Sequence, residues 1–238
     1  MVQLSQSFMG EDFNKFARPN VPKNLFIATM TKYFEGQSAA PIFTREPILN
    51  PLAQVLDEHN ISHLHIAETE KAAHVKMFFN AMKLEPFKLE SDIIVSSKPT
   101  TQEYADIPEM SADGITTEII KGMQEEKFGF IVANFANSDM VSHTGNLKSA
   151  IKAVEFIDKC IKKIYESALE NNFTVMITAD HGNAEGLLGP DKKSSDTEHS
   201  TNPVPFILID KKYQKVASYK KLSDLALVNP LGGLFDVA

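Results

Sequence analysis

Short apolar segments of strand length alternate with longer segments of helical periodicity along most of this chain. The most extended helical pattern begins at Leu147 and keeps apolar residues at helical spacing for about six turns, as far as Ala168. This alternation predicts an α/β fold in which helices flank a mostly parallel sheet. The predicted strands are 25–30, 63–68, 91–97, 128–135, 173–178 and 204–209, and the predicted helices are 50–60, 70–82, 147–168 and one that Ser111 caps and that runs through Met123.

Size, charge and cysteine content exclude several classes of protein. The chain has 238 residues, enough for one substantial domain or for one domain and part of another. A net charge of −7 argues against a general nucleic-acid binder, and no apolar run is long enough to span a bilayer. The single cysteine, Cys160, has no internal disulfide partner, and the first residues lack the pattern of a signal peptide. We therefore expect a cytoplasmic protein.

Side chains that bind metals lie beside three of the predicted strands. Asp139 and His143 follow the fourth strand, Asp180 and His181 follow the fifth, and His199 comes just before the last. Polar residues at the carboxyl ends of parallel strands gather at one edge of a sheet. Two carboxylates and three imidazoles suit a divalent ion of the zinc or manganese type. Without a thiolate ligand, this set favours hydrolytic or phosphoryl chemistry, in which a metal lowers the pKa of a nucleophile.

Each of these clusters, taken alone, also has a structural explanation. Asp180 can be a turn former or a helix N-cap, His181 a surface residue, and Asp139 the cap of the helix that follows it. Three such clusters at three strand ends are much less expected by coincidence, so we prefer the metal site. The remaining histidines are interpreted as surface or packing residues without a chemical role: His59, His63, His65 and His74.

The fifth predicted strand ends on the sequence Asp180-His181-Gly182-Asn183. Gly182 is expected to allow a tight turn that brings His181 towards the metal. Asn183 is expected to stabilise that turn through its side chain.

Several longer stretches carry a resemblance to a known family. They are IAETEKAAHVKMFFN, PEMSA, NFANSDMVSHTGNLKSAIKAVE, ITADHGNAE and HSTNPVPFI. With these stretches in this order, the chain resembles the cofactor-independent phosphoglycerate mutases of the alkaline phosphatase superfamily. The resemblance implies an alkaline-phosphatase-like metal-binding domain and the interconversion of 3-phosphoglycerate and 2-phosphoglycerate through a phosphoserine. It also implies two Mn²⁺ ions, replaced by Mg²⁺, Co²⁺ or Zn²⁺ in some members.

The family's metal ligands transfer onto matching positions of this chain. The resemblance implies that Asp139, His143 and His199 hold the first metal, which meets the substrate. It implies that Asp180 and His181 hold part of the second metal, which activates the serine nucleophile. The second site is then incomplete, because a stable catalytic site needs about three protein ligands.

Lys71 lies in the AETEK match. The resemblance places it close to the transferred phosphoryl group, where its charge offsets that of the phosphate. The structural alternative for Lys71 is an exposed helix lysine.

The resemblance also implies parts that this sequence does not show. Family members are roughly twice as long, and their nucleophilic serine, a further metal-binding aspartate and substrate-gripping arginines have no matching motif here. Residues 1–40 look like the end of an inserted phosphotransferase domain and its linker, and residues 41–238 like the metal-binding domain, incomplete at its N-terminus. A glycine pair that the family has after FFN is replaced by Ala81 and Met82. We expect the chain alone to be weak or inactive as a mutase.

Three functional interpretations stay open. The first is the C-terminal portion of a phosphoglycerate mutase, truncated or working with a separately encoded N-terminal half. The second is another phosphomutase or phosphatase of the alkaline phosphatase superfamily. The third is an inactive metal-binding remnant or interaction module.

Overall fold

The structure of the protein is a computed structural model that describes residues 2–9, 13–14, 16–18, 20, 24–32, 37–44, 48–83, 85–98, 103–189 and 194–211. Its contacts divide the chain into two compact units, Met1–Leu49 and Asn50–Ala238. The domain boundary expected after residue 40 stays a prediction.

The described residues of the first unit form one helix and a small parallel sheet. The helix is α1 (Val2–Met9), and the sheet pairs β1 (Ala28–Thr31) with β2 (Ala40–Phe43), with Ala28 opposite Ala40. The Gln37 side chain donates a hydrogen bond of 2.8 Å to Thr29 Oγ1 within this sheet region. Strand β1 thus overlaps the predicted strand but lies slightly later in the chain.

The second unit is built on a three-stranded parallel sheet. Its strand order is β4 (Glu90–Val95), β3 (His63–Glu68) and β5 (Phe130–Asn134). His63 at the start of β3 lies opposite Glu90 on one side and Phe130 on the other. A separate antiparallel pair joins β6 (Val175–Ile177) and β7 (Ile207–Ile209). The elements of this unit are α2 (Leu52–Glu58), β3 (His63–Glu68), a 3₁₀ turn (Thr69–Lys71), a π-helix (His74–Phe78), β4 (Glu90–Val95), a 3₁₀ turn (Tyr104–Asp106), α3 (Ala112–Gln124), β5 (Phe130–Asn134), α4 (Asn137–Ser142), α5 (Leu147–Glu170), β6 (Val175–Ile177), a 3₁₀ turn (Ala184–Gly186) and β7 (Ile207–Ile209).

The main core of the second unit lies between the parallel sheet and helices α3 and α5. Leu64 and Ile66 of β3 pack with Ile115 and Ile119 of α3, and all four are buried. Helix α3 approaches the sheet closely because Gly122 has no side chain, and a Cβ at that position would lie only 2.7 Å from Leu64 Cδ2. This packing fixes β3, whose carboxyl end leads into the candidate site.

Helix α5 is amphipathic and buries small residues. Ala150, Ala153 and Cys160 lie in the interior, whereas Ile151 and Val154 of the same apolar pattern are about half exposed. Asn146 caps the helix by accepting a 3.2 Å hydrogen bond from the Ser149 backbone N–H. None of the helices in the described part of the chain combines the length and apolar character needed to cross a membrane.

The parallel sheet with its flanking helices confirms the predicted α/β class. Strand β3 begins and ends at the predicted residues. The single helix predicted over 70–82 is wrong, because the segment is divided between a 3₁₀ turn and a π-helix. One cause lies in the Val75 carbonyl, which accepts a 2.8 Å hydrogen bond from the His65 ring and is drawn towards β3. Ser111 is the N-cap residue of α3 as predicted, but its hydroxyl donates to the Ser96 carbonyl and makes no capping hydrogen bond.

Ala81 and Met82, which replace the family's glycine pair, keep a glycine-like backbone. Their φ angles are 54° and 68°, in the left-handed region that costs a residue with a Cβ about 1 kcal/mol or more. We therefore predict that Ala81→Gly raises the free energy of unfolding by about 0.5–1 kcal/mol, even though glycine gains entropy in the unfolded chain. Urea unfolding of the variant measures this change. Ala73→Gly, at a position with helical φ and ψ, is the control and should destabilise the chain; stabilisation by both variants would contradict the argument.

Candidate metal centre

The candidate ligands come from three places that the fold brings together. Asp139 lies in α4, which follows β5, and His143 follows the same helix. His181 follows β6, and an antiparallel bridge between Gly182 and Ser200 draws the segment before β7 against it. The Ser200 backbone N–H donates a 2.8 Å hydrogen bond to the Gly182 carbonyl in this bridge. The bridge therefore places His199 beside His181.

Asp139, His143 and His199 form a tight triangle of donor atoms. Asp139 Oδ1 lies 3.1 Å from His143 Nε2 and 3.2 Å from His199 Nε2. The two Nε2 atoms are themselves 3.1 Å apart. The structure thus unites the three residues that the resemblance assigned to the first metal. The idea that Asp139 caps the helix that follows it is wrong, because Asp139 lies inside α4 and the next helix, α5, is capped by Asn146.

The orientation of His143 is fixed by its other ring nitrogen. Nδ1 lies 2.7 Å from the Thr197 carbonyl, which can only accept a hydrogen bond, so Nδ1 carries the proton. In the neutral ring, Nε2 then presents a lone pair to the triangle. A backbone carbonyl behind a histidine is a common arrangement at metal sites, where it sets both tautomer and ring orientation.

Asp180 and His181 lie next to this triangle. His181 Nε2 is 3.6 Å from Asp180 Oδ2, and the His181 ring stacks on the His199 ring with 3.7 Å between their centroids. One ligand atom each from Asp139, His181 and His199 lies within 4.8 Å of the other two. All five candidate ligands therefore belong to one cluster. Their division between a first and a second metal stays a prediction.

Lys71 is buried beside the carboxylates of Asp139 and Asp180. Its Nζ lies 2.7 Å from Asp139 Oδ2 and 3.8 Å from Asp180 Oδ2, and the residue is only 4% exposed. The alternative of an exposed helix lysine is therefore wrong. Burial raises the pKa of Asp139, but hydrogen bonds from Lys71 and Asn183 and the charge of Lys71 outweigh it and bring the pKa to about 2. Asp139 is therefore an anion at neutral pH.

The donor set fits a divalent cation. Ligand atoms around a tetrahedral Zn²⁺ lie about 3.4 Å apart, given metal–nitrogen distances of about 2.1 Å. The separations of 3.1–3.2 Å in the triangle are close to that value. Two imidazole nitrogens and a carboxylate oxygen this close repel one another unless a proton or a cation lies among them. Imidazole and carboxylate ligands suit ions of the zinc and manganese type.

Comparison with known families agrees with this geometry. The family model of the Metalloenzyme superfamily matches residues 21–231. The chain belongs to the Metalloenzyme superfamily. The matched range contains Lys71 and all five candidate metal ligands, so the site lies inside the region that defines membership.

Relatives of this chain are named as phosphoglycerate mutases, which confirms the resemblance seen in the sequence. The chain is 40% identical over 227 residues to the 2,3-bisphosphoglycerate-independent phosphoglycerate mutase of Antithamnion sp., covering 94% of this chain and 44% of the relative. It is 40% identical over 233 residues to that of Francisella tularensis subsp. holarctica (strain FTNF002-00 / FTA), covering 97% of this chain and 45% of the relative.

A solved structure gives the same result. The crystal structure of Leishmania mexicana phosphoglycerate mutase at low cobalt concentration superposes with a TM-score of 0.82 at 28% identity, covering 93% of this chain and 43% of that one. This similarity confirms the predicted alkaline-phosphatase-like fold. The chain spans about 45% of the length of the curated relatives and matches their C-terminal part.

Two further residues of the candidate site were not identified as site residues from the sequence. Asn183 donates a 2.8 Å hydrogen bond to Asp139 Oδ1, so its side chain holds a candidate ligand instead of stabilising its own turn as expected. His74 places Nε2 at 3.9 Å from Asp180 Oδ2, and burial and the Lys71 charge lower the pKa of its ring. The spacing of Lys71 and His74, which puts them on one face of a helical segment, was the signal that could have found His74.

Gly182 is required for a different reason than expected. Its φ is not in the left-handed region, but a Cβ there would collide with Ser200 Oγ and Glu185 Oε1. These two atoms are hydrogen-bonded to each other, and the bonds from Ser200 and Asn202 bring the pKa of Glu185 to about 2. Gly182 therefore permits a close approach of two segments, which is what aligns His181 with His199.

Proposed function

We propose that this chain is the metal-binding portion of a phosphoglycerate mutase that interconverts 3-phosphoglycerate and 2-phosphoglycerate. One observation carries the proposal: the side chains at the family's metal positions form one cluster, and its two carboxylates lie within ion-pair distance of a buried lysine. Sequence similarity to named mutases along nearly the whole chain supports the same reaction. The proposed cofactors are two Mn²⁺ ions, with Mg²⁺, Co²⁺ or Zn²⁺ as substitutes.

Each residue has a defined role in this proposal. Asp139, His143 and His199 would hold the first ion, and Asp180 and His181 would contribute to the second. Bound divalent ions would bind phosphate oxygens and lower the pKa of a serine hydroxyl.

The ammonium group of Lys71 lies within ion-pair distance of Asp139 and Asp180 and is shielded from water. In the proposed reaction it offsets the charge of a phosphoryl group that arrives beside these carboxylates. Its burial gives this attraction more strength than it would have in water.

The proposed reaction also needs groups from outside the 238 residues. No serine of this chain lies in the family's nucleophile motif, and the second metal has two candidate protein ligands here. We propose that polypeptide equivalent to the N-terminal part of the relatives supplies the serine, the missing aspartate and the substrate-binding arginines. Residues 1–40 would then be the end of the phosphotransferase domain, and residues 41–238 the metal-binding domain. The cytoplasmic location stays a prediction.

A complementation experiment tests this function. The chain is assayed with Mn²⁺ in a coupled assay that consumes 2-phosphoglycerate, alone and after mixing with the N-terminal part of the Francisella tularensis relative. We expect turnover only in the mixture, since only then are nucleophile and metal ligands both present. Turnover by the chain alone would place the nucleophile within these 238 residues and contradict the division of labour.

Measuring the Mn²⁺ bound by the chain helps to interpret an inactive mixture. If the mixture is inactive although the chain binds Mn²⁺ and is folded by circular dichroism, the chain is a metal-binding module without turnover. His59→Ala is the control variant, because His59 is exposed and its Nδ1 lies 2.8 Å from the Val55 carbonyl of its own helix region. This variant should complement as well as the unmodified chain.

A further inference from the structure

A second cluster of imidazole and carboxylate groups lies at the other end of β3. His63 and His65 are two residues apart on this strand, so both rings project from the same face, and both are fully buried. Glu90, the first residue of β4, lies opposite His63 in the parallel register. One ligand atom each from His63, His65 and Glu90 lies within 4.8 Å of the other two. Lys71 and the candidate metal centre follow the opposite end of the strand.

One nitrogen of the two rings has no hydrogen-bond partner among the described residues. His63 Nδ1 lies 2.9 Å from His65 Nε2, and His65 Nδ1 lies 2.8 Å from the Val75 carbonyl and 3.4 Å from Glu90 Oε1. His63 Nε2 lies 3.5 Å from Asp57 Oδ1 and makes no hydrogen bond with a described residue. If two neutral rings carry their protons on the two Nδ1 atoms, both hydrogen bonds form. A lone pair on His63 Nε2 then faces the Asp57 carboxylate in the interior, where an unsatisfied polar atom is costly.

When both outer nitrogens carry the protons, the pattern is that of a metal site. His65 Nδ1–H then donates to a backbone carbonyl, and His63 Nε2–H faces the Asp57 carboxylate. These are the two kinds of partner that stand behind metal-bound histidines. The inner nitrogens are left as two lone pairs 2.9 Å apart. The candidate metal centre shows the same arrangement, with a carbonyl behind His143 and two inner nitrogens 3.1 Å apart.

The carboxylates of this cluster give it an excess of negative charge. Glu90 accepts hydrogen bonds from the neutral Asn80 amide at 2.7 and 2.8 Å and from the Phe87 backbone N–H at 3.0 Å. Asp57 accepts from the Lys88 and Leu89 backbone N–H groups. The nearby Lys76 is already paired with Asp92 at 2.8 Å. A doubly charged cation would offset the charges of Asp57 and Glu90 together.

We propose that His63, His65 and Glu90 form a second metal site that binds a divalent cation of the zinc class, separate from the candidate metal centre. Two imidazoles and one carboxylate are ligands that Zn²⁺ accepts readily. Asn80 and Phe87 hold the Glu90 carboxylate in place from behind. Because the site is closed to solvent, the ion enters as the chain folds and stabilises the folded state. The proposal does not depend on mutase activity.

A proton is the competing occupant of the gap between the rings, and it would convert the pair to an imidazolium. The groups facing the rings are Asp57 of α2, the Val75 carbonyl of the π-helix, and Glu90 and Asp92 of β4, with Lys76 beside Asp92. Zn²⁺ retained by the folded chain distinguishes a metal from a proton.

The experiment measures zinc bound by the full 238-residue chain. A His143→Ala/His199→Ala variant, which lacks two ligands of the candidate metal centre, is refolded with Zn²⁺ and dialysed against a weak chelator. We expect about one Zn²⁺ per chain to remain by elemental analysis. Adding Glu90→Gln, which keeps the shape and one acceptor oxygen for Asn80, should weaken Zn²⁺ binding at least 10-fold. Adding His59→Gln should leave it unchanged.

Two further readouts keep the result interpretable. Zn²⁺ should raise the melting temperature of the double variant, and Glu90→Gln should abolish that rise while its circular dichroism stays native. Co²⁺ in place of Zn²⁺ should give the visible absorption of a low-coordinate site, which His63→Gln removes. Absence of bound Zn²⁺ in the folded double variant, or Zn²⁺ binding that Glu90→Gln and His63→Gln both leave unchanged, would overturn the proposal.

Discussion

Replacing Asp139 with asparagine is expected to lower the free energy of unfolding of the metal-free chain by about 3 kcal/mol. The substitution keeps the shape of the side chain but removes the charge that lies 2.7 Å from Lys71 Nζ. Removing one partner of a buried ion pair typically costs about 3–5 kcal/mol, because the other charge is left without compensation. Asp180 Oδ2, which lies 3.8 Å from Lys71 Nζ, still attracts the ammonium group in the variant. We therefore expect a loss of stability at the lower end of this range. Urea unfolding with a chelator present measures the loss.

A second variant, Lys71→Met, tests whether the lost stability comes from an uncompensated buried charge or from damaged packing. Lys71→Met in the Asp139→Asn background should recover at least half of the lost stability, because the buried ammonium is then gone. Glu109→Gln, which breaks the exposed ion pair between Lys98 and Glu109, should change the free energy of unfolding by less than about 1 kcal/mol. A double variant no more stable than Asp139→Asn would show that the charge pair is not the cause.

The same pair gives the chain a defined pH dependence. The folded pKa of Asp139 is about 2, below its ordinary value of 3.8. The folded state therefore binds this proton less readily than the unfolded state does, so the stabilisation is complete above pH 3.8. It is lost as the pH falls through about 2. The stability difference between the unmodified chain and Asp139→Asn should shrink over that interval and stay constant at higher pH.

Replacing His143 with alanine is expected to weaken Mn²⁺ binding by about 100-fold or more and to abolish complemented mutase activity. His143 Nε2 is one corner of the donor triangle, and its Thr197 contact has already fixed the tautomer that binds a metal. Removing it leaves Asp139 and His199, fewer than the roughly three protein ligands of a stable catalytic site. Calorimetric titration with Mn²⁺ and the complementation assay measure the two losses.

A graded series makes this prediction specific. Asn183→Ala removes a hydrogen bond to Asp139 Oδ1 without removing a ligand, so it should weaken Mn²⁺ binding by about 10-fold to 100-fold, no more than His143→Ala. His59→Ala should have no effect on binding, since its exposed ring lies on the Val55 carbonyl outside the cluster. Unaltered Mn²⁺ binding in His143→Ala would remove His143 from the site.

The sequence pattern was sufficient to predict those elements whose structure depends mainly on residues near one another in the chain. The period of apolar residues located α5, and alternation of strand and helix predicted the parallel sheet. It failed where a distant group competes for a backbone or side-chain atom. The His65 ring draws the Val75 carbonyl away from a regular helix, and the Ser96 carbonyl takes the Ser111 hydroxyl from its expected cap.

The candidate ligands could be found from sequence because chemistry and topology restrict them jointly. Asp139 and His143 follow β5 of the parallel sheet, at the edge where such residues are expected. His181 and His199 also lie beside strand ends as expected, but the antiparallel β6–β7 pair and the Gly182–Ser200 bridge bring these two together. Asp139 and His143 are a helical turn apart, so their proximity is also a local property. The resemblance to the mutases added Lys71 and the expected roles.

Only the tertiary structure decided which groups touch. It buried Lys71 against Asp139, turned Asn183 onto the same carboxylate, and joined His63 and His65 to Glu90 of the next strand. The physical reason is that helix and strand periods depend on near neighbours in the chain. Burial, charge pairing and ligand convergence depend instead on segments far apart in sequence, which only the packed sheet and its helices bring to within a few ångströms.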